Sequence, residues 1–240
     1  MRLNAYISRA GFSSRRKAVA FIKEGKVKVG GKVILEPWYV VQPGDAVSVS
    51  GKLLRAEEDN LYFIVNKPKG VTTTVEDAHA LQKIVDMLPK KHSRLYPIGR
   101  LDKDSRGIII LTNDGDFCYQ LTHPKFEIEK EYVVTVKGSL DEHSLKSLKS
   151  GVFDEGDMLK VRTYSGIKKA GDYTTLHVVI AEGKKRHLRR LFKALGNPVT
   201  DLKRIRIGDL RLGELPEGSF EKVDKETIYR LALKKRGDNV

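Results

Sequence analysis

Residues 99–107 read Gly99-Arg100-Leu101-Asp102-Lys103-Asp104-Ser105-Arg106-Gly107, and the apolar run Ile108-Ile109-Ile110-Leu111 leads from them into Thr112-Asn113-Asp114-Gly115. A charged turn feeding a β-branched run that ends in a second turn predicts a strand with an acidic cluster at its start. Several chemistries could use such a cluster. A calcium loop needs a third oxygen ligand where Arg106 stands and a glutamate where Asn113 falls, so that reading fails. An Asp-x-Asp phosphotransfer loop should follow a buried apolar strand, whereas Tyr96-Pro97-Ile98-Gly99-Arg100 precedes this one. A purely structural aspartate beside glycine in a turn is the commonest use of the residue, and on this stretch alone it stays open.

On both sides of the cluster the texture is strand, turn and strand. Leu61-Tyr62-Phe63-Ile64-Val65 runs into Asn66-Lys67-Pro68-Lys69-Gly70, and Tyr132 to Val136 and Leu176 to Ile180 are further strands by β-branched content. Helical spacing is sparser, notably over Leu81–Leu88, Leu140–Leu148 and Leu188–Leu195. This mixture predicts an α+β domain over residues 59–240, built on a mainly antiparallel sheet.

Residues 1–58 differ. Leu3, Tyr6, Ile7 and Ala10 share one helical face with Gly11 placed to end it, and Ala18, Val19 and Ile22 share another between the Ser13-Ser14 caps and Gly25. Lys26-Val27-Lys28-Val29 then alternates into Gly30-Gly31, a hairpin signal, and Ala46 to Val49 gives another short strand. The polar stretch Arg55–Asn60 reads as a linker, and Trp38 is expected to pack within this small α/β module.

Of 240 residues, 45 are Lys or Arg and 31 Asp or Glu, a net charge of +14 that makes a polyanion the first partner to consider. The excess is concentrated twice. Residues 1–58 hold eleven basic and five acidic side chains, and residues 182–212 hold ten and three, so two basic patches are expected. No run of roughly 18 apolar residues could span a bilayer, and the N-terminus lacks the apolar region of a secretory signal. The expectation is a cytoplasmic protein with no membrane partner. The one cysteine, Cys118, can form neither an internal disulfide nor a multi-cysteine zinc site and reads as a half-buried hydrophobe. His79, His92, His123, His143 and His177 lack metal-ligand spacing, so no metal is expected.

Two helices followed by short strands, with Arg15, Arg16 and Lys17 opening the second helix, resemble the alpha-L RNA-binding module named after ribosomal protein S-four. Asn66 to Gly70, then Gly99-Arg100-Leu101-Asp102 through Gly115, then Lys130-Glu131-Tyr132, then Glu182-Gly183 through Arg189-Arg190-Leu191-Phe192 occur in the order and spacing of the RsuA-type ribosomal RNA pseudouridine synthases, which also carry that module. The resemblance spans nearly the whole chain. It implies that Asp102 is the catalytic aspartate, that Arg100 fills the gap left by a flipped-out nucleotide and that Tyr132 stacks on the flipped base. It further implies that Arg189 pairs with the catalytic carboxylate and that Leu188 lines the base pocket. Asp104, two residues on, falls outside the matched catalytic position. Where the family usually reads His-Gln before the aliphatic residue, this chain has Arg186-His187, so the family lends those two side chains no role.

The reaction so implied isomerises uridine in RNA without net gain or loss of atoms, so no cofactor is expected. A carboxylate beside the ribose can act as nucleophile at the anomeric carbon or as base at its neighbour. Aromatic stacking supplies roughly 1–3 kcal/mol per base, and a base inside a duplex has to be extruded first. The implied partner is ribosomal RNA or a ribosome-assembly intermediate, met by a monomer. Two rivals remain. A noncatalytic RNA-binding assembly factor on the same scaffold would be expected to have lost the Asp, Tyr and Arg set, which is intact, and a DNA-binding regulator lacks a recognition helix or dimerising heptads.

Overall fold

The computed structural model describes residues 1–55, 59–75, 80–89 and 95–233, and its chain falls into two compact units, Met1–Asn60 with Pro89–Leu95, and Leu61–Leu88 with Tyr96–Val240. His79, His92 and residues 56–58 of the linker lie outside the described residues.

In the first unit, α1 (Leu3–Arg9) and α2 (Arg15–Lys23) precede β1 (Val27–Val29), β2 (Lys32–Val33), β3 (Val47–Val49) and β4 (Lys52–Leu54). The strands form an antiparallel sheet in the order β2-β1-β3-β4. Ser14 caps α2 by accepting from the Lys17 amide at 3.2 Å, and Gly30 and Gly31, both at positive φ, supply the turn that the expected hairpin requires. Leu3, Ile7, Ala18, Ile22, Val27, Val29, Val47 and Val49 form the core. The apolar spacing read from the sequence therefore faces inward on both helices. Trp38 departs from expectation: it is 64% exposed, and the aromatic rings packed against the small core are those of Tyr6, Phe12, Phe21 and Tyr39.

The second unit contains β5 (Tyr62–Lys67), β6 (Tyr96–Pro97), β7 (Arg106–Thr112), α3 (Gly115–Thr122), β8 (Lys130–Lys137), α4 (Glu142–Ser150), β9 (Val152–Asp154) and β10 (Asp157–Leu159). β11 (Thr163–Ala170), β12 (Tyr173–Ile180), α5 (His187–Ala194), β13 (Val199–Ile207), β14 (Leu210–Arg211), β15 (Phe220–Val223) and α6 (Lys225–Leu233) complete it. Its main sheet runs β11-β12-β8-β13-β7-β5-β15, with β6 and β14 attached at β7 and β13. Every pairing is antiparallel except that of β13 with β7. The fold is thus α+β on a mostly antiparallel sheet. β5 is buried along its whole length and β7 from Gly107 onward, which is why both read as unbroken apolar runs rather than alternating ones.

The parallel pair meets at Gly107, opposite Arg204. A Cβ on Gly107 would lie 2.1 Å from the Arg204 carbonyl oxygen, and its φ of 107° excludes other residues, so only glycine lets β7 and β13 approach here. That approach places the loop before β7 beside the chain leading into β13.

The Thr112-Asn113-Asp114-Gly115 turn is structural. Asp114 caps α3 through Oδ1, which accepts from the amides of Asp116 and Phe117, while Oδ2 accepts from the hydroxyls of Tyr62 at 2.6 Å and Tyr229 at 3.0 Å. Asn113 Oδ1 accepts from the Leu61 amide at 2.8 Å. Burial and the Asp114 carboxylate together push the Tyr229 hydroxyl up to about 12. The expected helix over Leu81–Leu88 shrinks to a 3₁₀ turn at Ile84–Met87, because Leu88 precedes a proline and takes extended backbone.

Candidate active site

Asp102 sits in the turn between β6 and β7, and the turn is fastened from below. Thr73 Oγ donates to the Leu101 carbonyl at 2.7 Å and accepts from its amide at 3.3 Å. The Gly70 amide donates to the Lys103 carbonyl at 2.8 Å. Lys67, fully buried at the end of β5, donates from Nζ to the carbonyls of Ser105 at 2.6 Å, Pro68 at 2.9 Å and Lys103 at 3.4 Å. Burial lowers its ammonium to about 8, against the pull of the Asp104, Asp102 and Glu217 charges. One lysine therefore ties the acidic turn to the sheet.

The wall facing this turn is α5 and the strap before it. Arg189 is only 10% exposed; its Nη2 donates to the Asp104 carbonyl at 3.0 Å and to Ser105 Oγ at 3.3 Å. Its Nε lies 3.8 Å from Asp102 Oδ2, while its Nη1 lies 3.2 Å from Asp104 Oδ2. The guanidinium is thus shared between two carboxylates and stands nearer to Asp104. Arg186, on the strap, reaches the same pair, at 3.9 Å from Asp102 and 3.7 Å from Asp104.

Below β7, Asp201 joins the turn to β13. Burial would raise its carboxyl, but hydrogen bonds and charges from Arg106 and Lys69 outweigh that and hold it at about 2. Arg106 Nη2 lies 2.8 Å and Lys69 Nζ 2.6 Å from its oxygens.

Asp102, Arg100, Tyr132, Leu188, Arg186, His187 and Leu202 all line one narrow cleft of about 90 Å³, with Ser105, Ile180 and Lys184. Tyr132 on β8 and Leu188 on α5 are almost wholly buried in its walls, at 7% and 3% exposure, whereas Arg100 is exposed. Asp102 is one-third exposed. Four of the five second-unit residues singled out from the sequence therefore line the cleft directly, and the fifth, Arg189, lies behind it against the acidic turn. Lys67 and Asp104 lay inside matched segments without an assigned role, and Thr73 gave no signal in the sequence.

The second basic stretch is thinner than its charge count. Arg204 and Arg206 are buried, Arg204 Nε donating to the Ile108 carbonyl and Arg206 pairing with Glu131 and Glu129. Arg190 is held by Asp154 at 2.6 Å and Asp157 at 2.8 Å. Arg15, Arg16 and Lys17, in contrast, are all exposed in the first turn of α2, with no acidic residue in that turn. Cations at a helix N-terminus oppose the helix dipole, so their concentration there suits an anion rather than the helix. Among the described residues, no group of His, Cys, Asp or Glu side chains is arranged to hold a metal ion.

The cleft thus holds a partly exposed carboxylate flanked by guanidiniums and walled by a tyrosine, an arrangement that can present an ionised acid to a flat ligand. Comparison with known proteins gives the class. Residues 61–194 match the RNA pseudouridylate synthase model and residues 1–47 the S4 domain model. The chain is 39% identical to "Ribosomal large subunit pseudouridine synthase B" of Bacillus subtilis (strain 168), over 99% of this chain and 98% of that one. It is 36% identical to "Dual-specificity RNA pseudouridine synthase RluF" of Escherichia coli (strain K12), over 96% and 78% respectively. A crystal structure of a pseudouridylate synthase, 28% identical, superposes with a TM-score of 0.67 over 96% of this chain and 99% of the other. The chain belongs to the RNA pseudouridine synthase family, in its RsuA-type branch with an N-terminal S4 domain.

Proposed function

We propose that the protein isomerises one or a few uridines of ribosomal RNA to pseudouridine, with Asp102 opening the reaction and residues 1–58 acting as a docking module. The observation that carries this reading is the placement of Asp102 at the mouth of a cleft walled by Tyr132 and Leu188 and flanked by Arg186 and Arg189. The Bacillus subtilis relative's name supplies the ribosomal substrate.

In this mechanism the target uridine leaves its stack and enters the cleft, its base against the Tyr132 ring and the Leu188 side chain. Arg100, on the exposed rim, takes the vacated place in the RNA. The Asp102 carboxylate then acts at the ribose, as nucleophile at C1′ or as base at C2′, and the bond from C1′ to N1 breaks. The base turns while held by its walls and rejoins C1′ through C5, displacing the Asp102 carboxylate if it was the nucleophile or with the C2′ proton returned if it was the base; the proton on C5 is lost and N1 gains one. Arg189 positions the acidic turn throughout, and Arg15, Arg16 and Lys17 bind phosphates of the docked RNA. The partner is ribosomal RNA or an assembling particle, and the protein works as a cytoplasmic monomer.

Mapping pseudouridine across ribosomal RNA from a strain lacking this gene tests the reading. The expected result is the loss of one or a few modified positions, restored by the native gene. An unchanged map would overturn it.

A further inference from the structure

Arg186 is the residue just before α5, and its backbone lies in the left-handed region at φ 51°, ψ 32°. That conformation is costly for a residue with a side chain, so neighbouring contacts must hold it. They are present. The next residue, His187, is buried and its Nε2 lies 3.0 Å from the Lys160 carbonyl, and Arg190, one turn on, is pinned by Asp154 and Asp157. The strap is thus built to present residue 186 at the cleft.

What it presents is a guanidinium in two long ion pairs whose hydrogen-bonding capacity is unspent. Among the described residues Arg186 makes no side-chain hydrogen bond; its acidic neighbours Asp102 and Asp104 stand at 3.9 and 3.7 Å, beyond hydrogen-bond reach, and it is 46% exposed. The other cations of this wall are committed: Arg189 to the Asp104 carbonyl and Ser105, and Lys184 to the Met158 carbonyl at 2.8 Å. The chemistry creates a need for such a group. The ribose that Asp102 must reach carries a phosphate on each side, so two carboxylates and a polyanion have to approach one another.

We infer that Arg186 binds a phosphate flanking the target uridine, bridging it to the Asp102–Asp104 pair and so bringing the ribose to Asp102. This rests on the reading that Asp102 opens the reaction. Arg186 thereby gains a function in the cleft wall, and His187 behind it acts as its anchor.

The test uses the full-length protein and a ribosomal RNA fragment containing the uridine it modifies, with a neutral methylphosphonate placed at either linkage of that uridine. Arg186→Gln should lower kcat/KM on unmodified RNA by roughly tenfold to a hundredfold, the scale of a charge-assisted hydrogen bond. At one linkage the methylphosphonate should cost the native protein a similar factor and cost Arg186→Gln nothing further. Arg186→Gly, which adopts the left-handed backbone freely, should keep or raise the melting temperature yet show the same loss, which a merely structural arginine would not. Additive losses at both linkages, or Arg186→Gln within twofold of native, would overturn the inference. Asp102→Asn run beside them separates the two readings. If it is inert while losses are additive, only the phosphate assignment fails; if it turns over normally, the reading of the site fails and the assignment falls with it.

Discussion

Lys67 fastens the site more than any residue that would touch RNA, because its one buried ammonium satisfies three carbonyls of the acidic turn and its neighbours. Lys67→Met keeps the apolar stem and orphans those carbonyls, so a loss of about 2–4 kcal/mol in denaturant unfolding is expected, with a fall in kcat as the turn loosens. The pH dependence follows from the same burial. Lys67 and Lys130 are both lowered to about 8 by burial, while unfolded they titrate near 10.4. Between those values the unfolded chain binds more protons, so stability should rise as pH goes from about 8 to 10.4 and fall again on return. Lys67→Met should flatten that rise in part; an unchanged slope would contradict the assignment. Asp102, Tyr132, Leu188 and Arg189 were singled out through the family resemblance, and the fold brings all four to one cleft and its back wall. Asp104 could not be, since its sharing of Arg189 depends on how the turn folds.

Secondary-structure elements were legible where one physical signal dominated. The capped helices, the glycine-ended hairpin and the fully buried β5 and β7 all carried such signals. The 81–88 segment did not: Leu81 is 96% exposed, so its apolar spacing marked no core face. The β9–β10 hairpin gave no alternation because it is half-exposed, with Leu159 buried at one end and Arg190 holding Asp154 and Asp157 at the other. Asp114 is the clearest case of a motif whose meaning only the fold reveals, since its one carboxylate caps α3 and receives two tyrosyl hydroxyls. Asp114→Ala should therefore destabilise the protein by about 2–4 kcal/mol in thermal or denaturant unfolding, a cap plus two buried hydroxyl bonds. Its RNA affinity at a temperature where it is folded should match the native protein; equal stability would contradict the structural role.

For the whole molecule, net charge pointed to a polyanion but overstated the second patch, because composition does not show that Arg204 and Arg206 are buried and Arg190 paired. Exposed cations of the first unit should then carry a larger part of docking. Changing Arg15, Arg16 and Lys17 together to Gln should weaken RNA binding and reduce the slope of log affinity against log salt by about 0.7–0.9 for each phosphate left without its cation. The single-turnover rate at saturating RNA should stay close to native; a large fall in that rate with binding unchanged would contradict a docking role. The central claim, that chemistry starts at one carboxylate, is tested most directly by Asp102→Asn. The change is nearly isosteric and leaves Tyr132 and the basic side chains in place. Pseudouridine formation in ribosomal RNA from the deletion strain should fall to the detection limit, with RNA affinity within a few fold of native because phosphate contacts supply most of it. A folded Asp102→Asn protein that still forms pseudouridine at a rate near the native one would contradict the account.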